Sequence, residues 1–132
     1  MSKKVIVFGS FVVDLMGRTP HLPASGETVK GSMFRMGPGG KGFNQGVAAH
    51  KAGANVTMVT KLGRDAFGQV AQDTMQELGM SSEYLLFSED TETGCALIMV
   101  DENTSQNKIV VISGACGTIT NEDVERLAPL MD

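Results

Sequence analysis

The stretch Gly37-Pro38-Gly39-Gly40-Lys41-Gly42-Phe43-Asn44 decides how this sequence is read. Four of the six positions from Gly37 to Gly42 are glycine. Glycine reaches dihedrals closed to other residues and lets a ligand approach the backbone. The residues that follow, Phe43 to Ala52, read as a helix, with Ala48 and Ala49 packed close and Gly53 as its stop. The free N–H groups of its first turn would then point at whatever lies above the loop. Without such a ligand the run is only a mobile turn.

Two phosphate-binding motifs can be tested against it. A P-loop needs glycine five residues before the Gly-Lys pair and Ser or Thr after it; Arg35 and Gly42 stand there instead. Gly37, Gly39 and Gly42 do match dinucleotide spacing. The rest of that fingerprint is missing, because the next strand ends near Thr60-Lys61 with no acid for a ribose diol. A third reading fits better. Lys41 offers donors, Asn44 offers both donor and acceptor, and Gly39 and Gly40 offer backbone N–H groups. Asp14, near the end of the first strand unit, supplies only acceptors when ionised. Donors and acceptors converging in this way suit a ligand rich in vicinal hydroxyls. Taken alone, Asp14 reads as a solvated turn residue.

Working outward, Lys4 to Gly9 predicts a first buried strand. Asp14 to Arg18 follows, then the turn-rich Thr19 to Gly26 and a β-prone piece from Thr28 to Met36. Val56 to Leu62 predicts a second central strand. Asp65 is placed to cap a helix running to Leu78, with Phe67, Val70, Ala71, Met75 and Leu78 forming one apolar stripe and Gly79 as its stop. This alternation predicts an α/β fold with parallel strands. Cys95 to Val100 and Ile109 to Ile112 are apolar throughout, and only Asp101 to Lys108 lies between them. A parallel crossover needs more residues than that, so the two runs are expected to pair antiparallel. Thr120 to Met131 predicts a last helix with Thr120 as N-cap.

Bulk properties exclude several classes. The chain has 132 residues, enough for one core. The net charge of −4, with scattered basic residues, argues against nucleic acid. Lys3 and Lys4 before Val5 to Val13 faintly imitate a signal peptide, but Asp14 follows at once. No run is long enough to span a membrane. Cys95 and Cys116 are too few for a disulfide framework. The expectation is a reduced, cytoplasmic protein. His21 and His50, the only histidines, lack metal-ligand spacing, and the nine methionines read as core filler.

At GSFVVD, PASGETVKG, GGKGFNQGVAAHKAGA and KLGRDAFG the sequence resembles the ribokinase, or PfkB, family of carbohydrate kinases, in order and spacing over essentially the whole chain. The resemblance implies a three-layer α/β/α core with a small β-sheet lid, its strands at about 14–36 and 94–113. It implies transfer of the ATP γ-phosphoryl group to a sugar hydroxyl, with ribose foremost. Asp14, Gly39, Gly40, Lys41 and Asn44 match family positions that hold the sugar. Two departures bear on the sugar: Val12 stands where many ribokinases have Asn, and Gly114-Ala115-Cys116 where many have Gly-Ala-Asn.

The family's later Gly-Ala-Gly-Asp loop, with the catalytic base and the anion hole, has no counterpart here. The resemblance also places ATP, Mg²⁺ and a monovalent cation in that half. The chain is therefore expected to be the sugar-binding N-terminal part of a longer kinase, inactive alone. Phosphoryl transfer is mostly positioning and electrostatics, which need those parts. The resemblance further implies a homodimer through the lid. The competing readings are another sugar, phosphosugar or nucleoside kinase of the family, a non-catalytic sugar-binding or dimerising remnant, and a dinucleotide module.

Overall fold

The computed structural model describes residues 3–132. β1 (Lys4–Phe8) pairs parallel with β4 (Asn55–Val59), from Lys4 opposite Asn55 to Phe8 opposite Val59. Alternation then divides their side chains between two cores. Val5, Val7, Val56 and Met58 join a cluster with Phe43 of α1 (Lys41–Lys51) and Ala71 and Met75 of α2 (Ala66–Leu78). Ile6 and Val59 face the other way, toward Leu127 of α3 (Asn121–Leu127) and Leu130. Helices on both faces of a parallel pair give the α/β/α layering that was expected.

The expected strand from Val56 to Leu62 is divided. β4 stops at Val59 and β5 (Lys61–Gly63) leaves β1 to pair parallel with β6 (Leu86–Ser88). Thr60, fully buried, sits at the change of partner and accepts from the Leu86 N–H at 2.9 Å. An apolar run shows burial but not which neighbour a strand pairs with.

A separate four-stranded sheet has the order β3-β2-β7-β8. β2 (Val12–Thr19) lies antiparallel to β3 (Met33–Gly39) and parallel to β7 (Thr93–Asp101), which forms an antiparallel hairpin with β8 (Asn107–Gly114). The antiparallel pairing of the two apolar runs is as predicted. The earlier strand bounds are corrected. β2 begins at Val12, before Asp14, and 20–32 holds no strand. The β-prone Thr28 to Gly31 stays outside because the β2 register ends at Arg18 opposite Met33. β3 instead runs through Gly37-Pro38-Gly39, where a break was expected. It is an edge strand, where proline is tolerated.

α1 starts at Lys41 rather than Phe43. Gly40 precedes it with φ 97°, a left-handed value that favours glycine. Gly42 lies in the first turn against Gly9, so close that a Cβ on either would meet the other's backbone at 2.6–2.7 Å. α2 is as predicted: Asp65 accepts from the Gly68 N–H, Gly79 closes it with φ 72°, and the five stripe residues all pack on the main core. Thr120 caps α3, and Asp123 returns the bond in a capping box. That helix ends at Leu127 rather than Met131, and Ala128–Met131 is a 3₁₀ turn. Pro129 has no N–H for the carbonyl of Glu125, so the α pattern cannot continue.

Candidate functional site

The five residues singled out in the sequence meet where β2, β3 and α1 converge. Val13 and Leu15 pack on the main core. The alternating residues Val12, Asp14 and Met16 therefore lie on the opposite face of β2. Asp14 is flanked across the sheet by Gly37 on β3 and Ala96 on β7. Its carboxylate lies over the backbone of Gly39, where a Cβ would overlap it. Gly39 is buried at the end of β3, and Gly40 is half-buried at the N-cap of α1. Lys41 and Asn44 follow in the first turn, both exposed, at a spacing that puts them on one side of the helix.

Burial alone perturbs Asp14. It pushes the carboxyl pKa up, and no cation or hydrogen bond pulls it back. Asp14 is thus a partly desolvated acceptor in want of a donor, and not the solvated turn residue it resembles in isolation. One helix N–H is already used: Phe43 donates to Ser10 O at 3.1 Å. The N–H groups of Lys41 and Gly42 have no backbone acceptor among the described residues. The first-turn donors are therefore fewer than the sequence suggested.

One neighbour of Asp14, Ala96, escaped the sequence reading of the site, and another, Val12, entered it only as a departure from the family pattern. Val12 and Ala96 share its face; they are 8% and 4% exposed, yet belong to neither hydrophobic cluster. Ala96 lies far along the chain, and only strand pairing brings it to Asp14. The carboxylate therefore projects from an apolar wall, an arrangement that suits a ligand with both hydroxyl and C–H surface.

Other polar groups serve the fold. Lys61, buried at the start of β5, donates to Thr118 O and to Asp123 Oδ2, each at 2.7 Å. The Lys61 bond, against the opposing effect of burial, holds the Asp123 pKa below the ordinary aspartate value. Cys95 and Cys116 are both free thiols. Cys116 Sγ lies 3.2 Å from Lys61 O and 3.4 Å from the Phe11 N. His50 Nε2 is 2.6 Å from Leu78 O, and His21 pairs with Glu27 at the surface. Among the described residues no group of three or more His, Cys, Asp or Glu is placed to hold a metal ion. No helix among them is long and apolar enough to cross a membrane.

A parallel α/β core carrying a four-stranded sheet, with Asp14 and the turn into α1 at their junction, is the architecture of the carbohydrate kinase class. The chain belongs to the pfkB family of carbohydrate kinases, which it matches over residues 2–131. It is 39% identical to the ribokinase of Mus musculus over 127 residues, covering 96% of this chain and 39% of that protein. It is also 39% identical to a deoxyribokinase of Salmonella typhi over 124 residues, covering 94% and 40%. The solved structure of ribokinase from Giardia lamblia superposes with a TM-score of 0.87 at 30% identity, covering 99% of this chain and 39% of that one. The chain thus spans about two fifths of the length of the curated relatives it matches.

Proposed function

We propose that this chain is the sugar-binding part of an ATP-dependent kinase that phosphorylates a hydroxyl of a pentose, D-ribose foremost. The observation that carries the reading is Asp14: a carboxylate perturbed only by burial and set over Gly39, which with Gly40 leads into the first turn of α1 that bears Lys41 and Asn44. Asp14 accepts from sugar hydroxyls, Lys41 and Asn44 donate to them, and Gly39 and Gly40 let the ring reach the backbone. The β3-β2-β7-β8 sheet acts as the lid. No residue of this chain is assigned to ATP, Mg²⁺, a monovalent cation or the catalytic base; these belong to the further length that the relatives possess. The 132-residue chain should therefore bind D-ribose without sugar-dependent ATP turnover. NMR titration and a coupled ATPase assay over a sugar panel test both points. Robust turnover by the pure chain, or no sugar binding at all, would refute the assignment.

Val12 favours a second reading, 2-deoxyribose. A C–H packs against a buried valine without loss, whereas a hydroxyl buried there needs a partner that valine lacks. The sugar panel separates the two: tighter binding of 2-deoxyribose than of ribose would assign Val12 the selecting role.

We further propose that the chain pairs as a homodimer through the face of this sheet that points away from Asp14. Strand register defines that face. Met36, Leu15, Leu97 and Val110 form one row across it, and Phe34 and Ile112 extend the patch. Phe34, Leu97, Val110 and Ile112 are 69%, 44%, 58% and 49% exposed. A contiguous apolar surface of this kind marks an interface. Met99 lies on this face, while Ile98 lies on the Asp14 face beside Met16. Val110→Asp should yield monomers in sedimentation and leave sugar binding intact. A monomeric parent at micromolar concentration would refute the dimer.

A further inference from the structure

The base of the four-stranded sheet holds a polar junction that the sugar site does not absorb. Asp65 caps α2, a task that needs one acceptor. Its carboxylate does more. Oδ1 accepts from the Gly68 N–H at 2.8 Å and from the Thr93 hydroxyl at 2.7 Å, and Oδ2 accepts from the Thr93 N–H at 2.8 Å. The Gly63 N–H donates to Thr93 Oγ1 at 2.8 Å. Burial opposes ionisation of Asp65, but the bonds from Thr93 and Gly68 outweigh it and hold the pKa below the ordinary aspartate value. The backbone is in close contact here: a Cβ on Gly68 would overlap Gly63 O, and one on Gly114 would overlap Glu92 O. Ala115 closes the junction from the end of β8, donating to Glu92 O at 2.7 Å.

Thr93 is buried and is the first residue of β7, the strand that carries Ala96 to its place opposite Asp14. On the side away from Asp14, the start of β7 borders an open cleft of about 640 Å³ whose lining includes Phe67, Cys95 and Ile112. Pairing with β2 begins only at Cys95, so at Thr93 the bonds to Asp65 tie the first residue of β7 to the N-terminus of α2 before that ladder starts.

We propose that Asp65 is a positioning residue for the sugar site: its carboxylate locks the first residue of β7 to the N-terminus of α2 and thereby holds Ala96 over Asp14. The role rests on the reading of the Asp14 face as the sugar site. It also explains why the cap is an aspartate. Serine caps a helix about equally well, but its single oxygen cannot also serve both donors of Thr93.

Asp65→Ser and Thr93→Val each remove the link, whereas Thr93→Ser keeps the hydroxyl. Two readouts are made on the full chain: the Kd for D-ribose by titration, and amide hydrogen exchange along β7 without sugar. Asp65→Ser and Thr93→Val should each weaken ribose binding by about tenfold, the scale of one charge-assisted hydrogen bond. The double variant should be no weaker than the worse single one, because both remove the same link. Exchange at Cys95 to Ile98 should quicken while that of α2 stays put, and Thr93→Ser should match the parent. Unchanged β7 exchange in Asp65→Ser, additive losses, or identical behaviour of Thr93→Val and Thr93→Ser would overturn the anchor. If Asp65→Ser fails to fold, the Thr93 pair decides alone. A parent chain that binds no sugar would overturn the site reading, and with it this role, while the exchange data would still report on the anchor.

Discussion

Asp14 and Asp123 are both removed in part from water, and their environments push them in opposite directions. Asp123 meets the ammonium of Lys61 at 2.7 Å, and its pKa is lowered mainly by that bond. Asp14 lies between Gly37 and Ala96 across the sheet and over the Gly39 backbone, and its pKa is raised by burial. A partnered carboxylate stabilises the fold it sits in. One left with spare acceptors on a half-buried wall costs stability, and that cost makes sense where a ligand supplies the donors.

The contrast can be broken most forcefully at Lys61. Lys61→Ala leaves the half-buried Asp123 without its cation and removes both bonds of the Lys61 ammonium, a loss of about 2 kcal/mol or more. Urea unfolding should show that loss, and a change under about 1 kcal/mol would place the pair among weak surface contacts. Sugar affinity should stay as in the parent in whatever fraction remains folded.

Asp14→Asn should act in reverse. A hydrogen bond to a charged group is worth roughly 1.5–3 kcal/mol, so ribose affinity should fall by roughly ten- to a hundredfold. The unfolding midpoint should hold or rise, because a poorly solvated charge is gone. Should Asp14→Asn unfold the chain and spare ribose binding, the two carboxylates would have been assigned the wrong way round.

Acid titration gives the smallest and sharpest test. Asp123 and Asp65 have lowered folded pKa values, so their contribution to stability is complete above the ordinary aspartate range. It disappears only as pH falls through their lower folded values. Asp14 has a raised pKa, so binding that needs its carboxylate is lost at a pH above that range. On acidification, ribose affinity should fail before the fold does, and Asp14→Asn should flatten the first transition and spare the second. Coincident transitions in the parent would contradict this order.

Much of the molecule was legible in its sequence because it is set by local rules. Asp65 and Thr120 were readable as caps, since an N-cap bonds an amide only three residues ahead. The α2 stripe followed from helical period, and the length of the Asp101 to Lys108 segment compelled an antiparallel hairpin. The turn into α1 at Gly40 was legible because glycine's dihedral freedom belongs to the residue itself. Tertiary structure decided everything that depends on a distant partner. Strand alternation assigns side chains to two faces, but only packing of Val13 and Leu15 on the helices determined that Asp14, with Ala96 beside it, faces away from the core. Thr60 divides one apolar run because Leu86 waits beside it, and Lys61 finds Asp123 across 62 residues. Such contacts form only when the chain closes its long loops, so no window of sequence contains them.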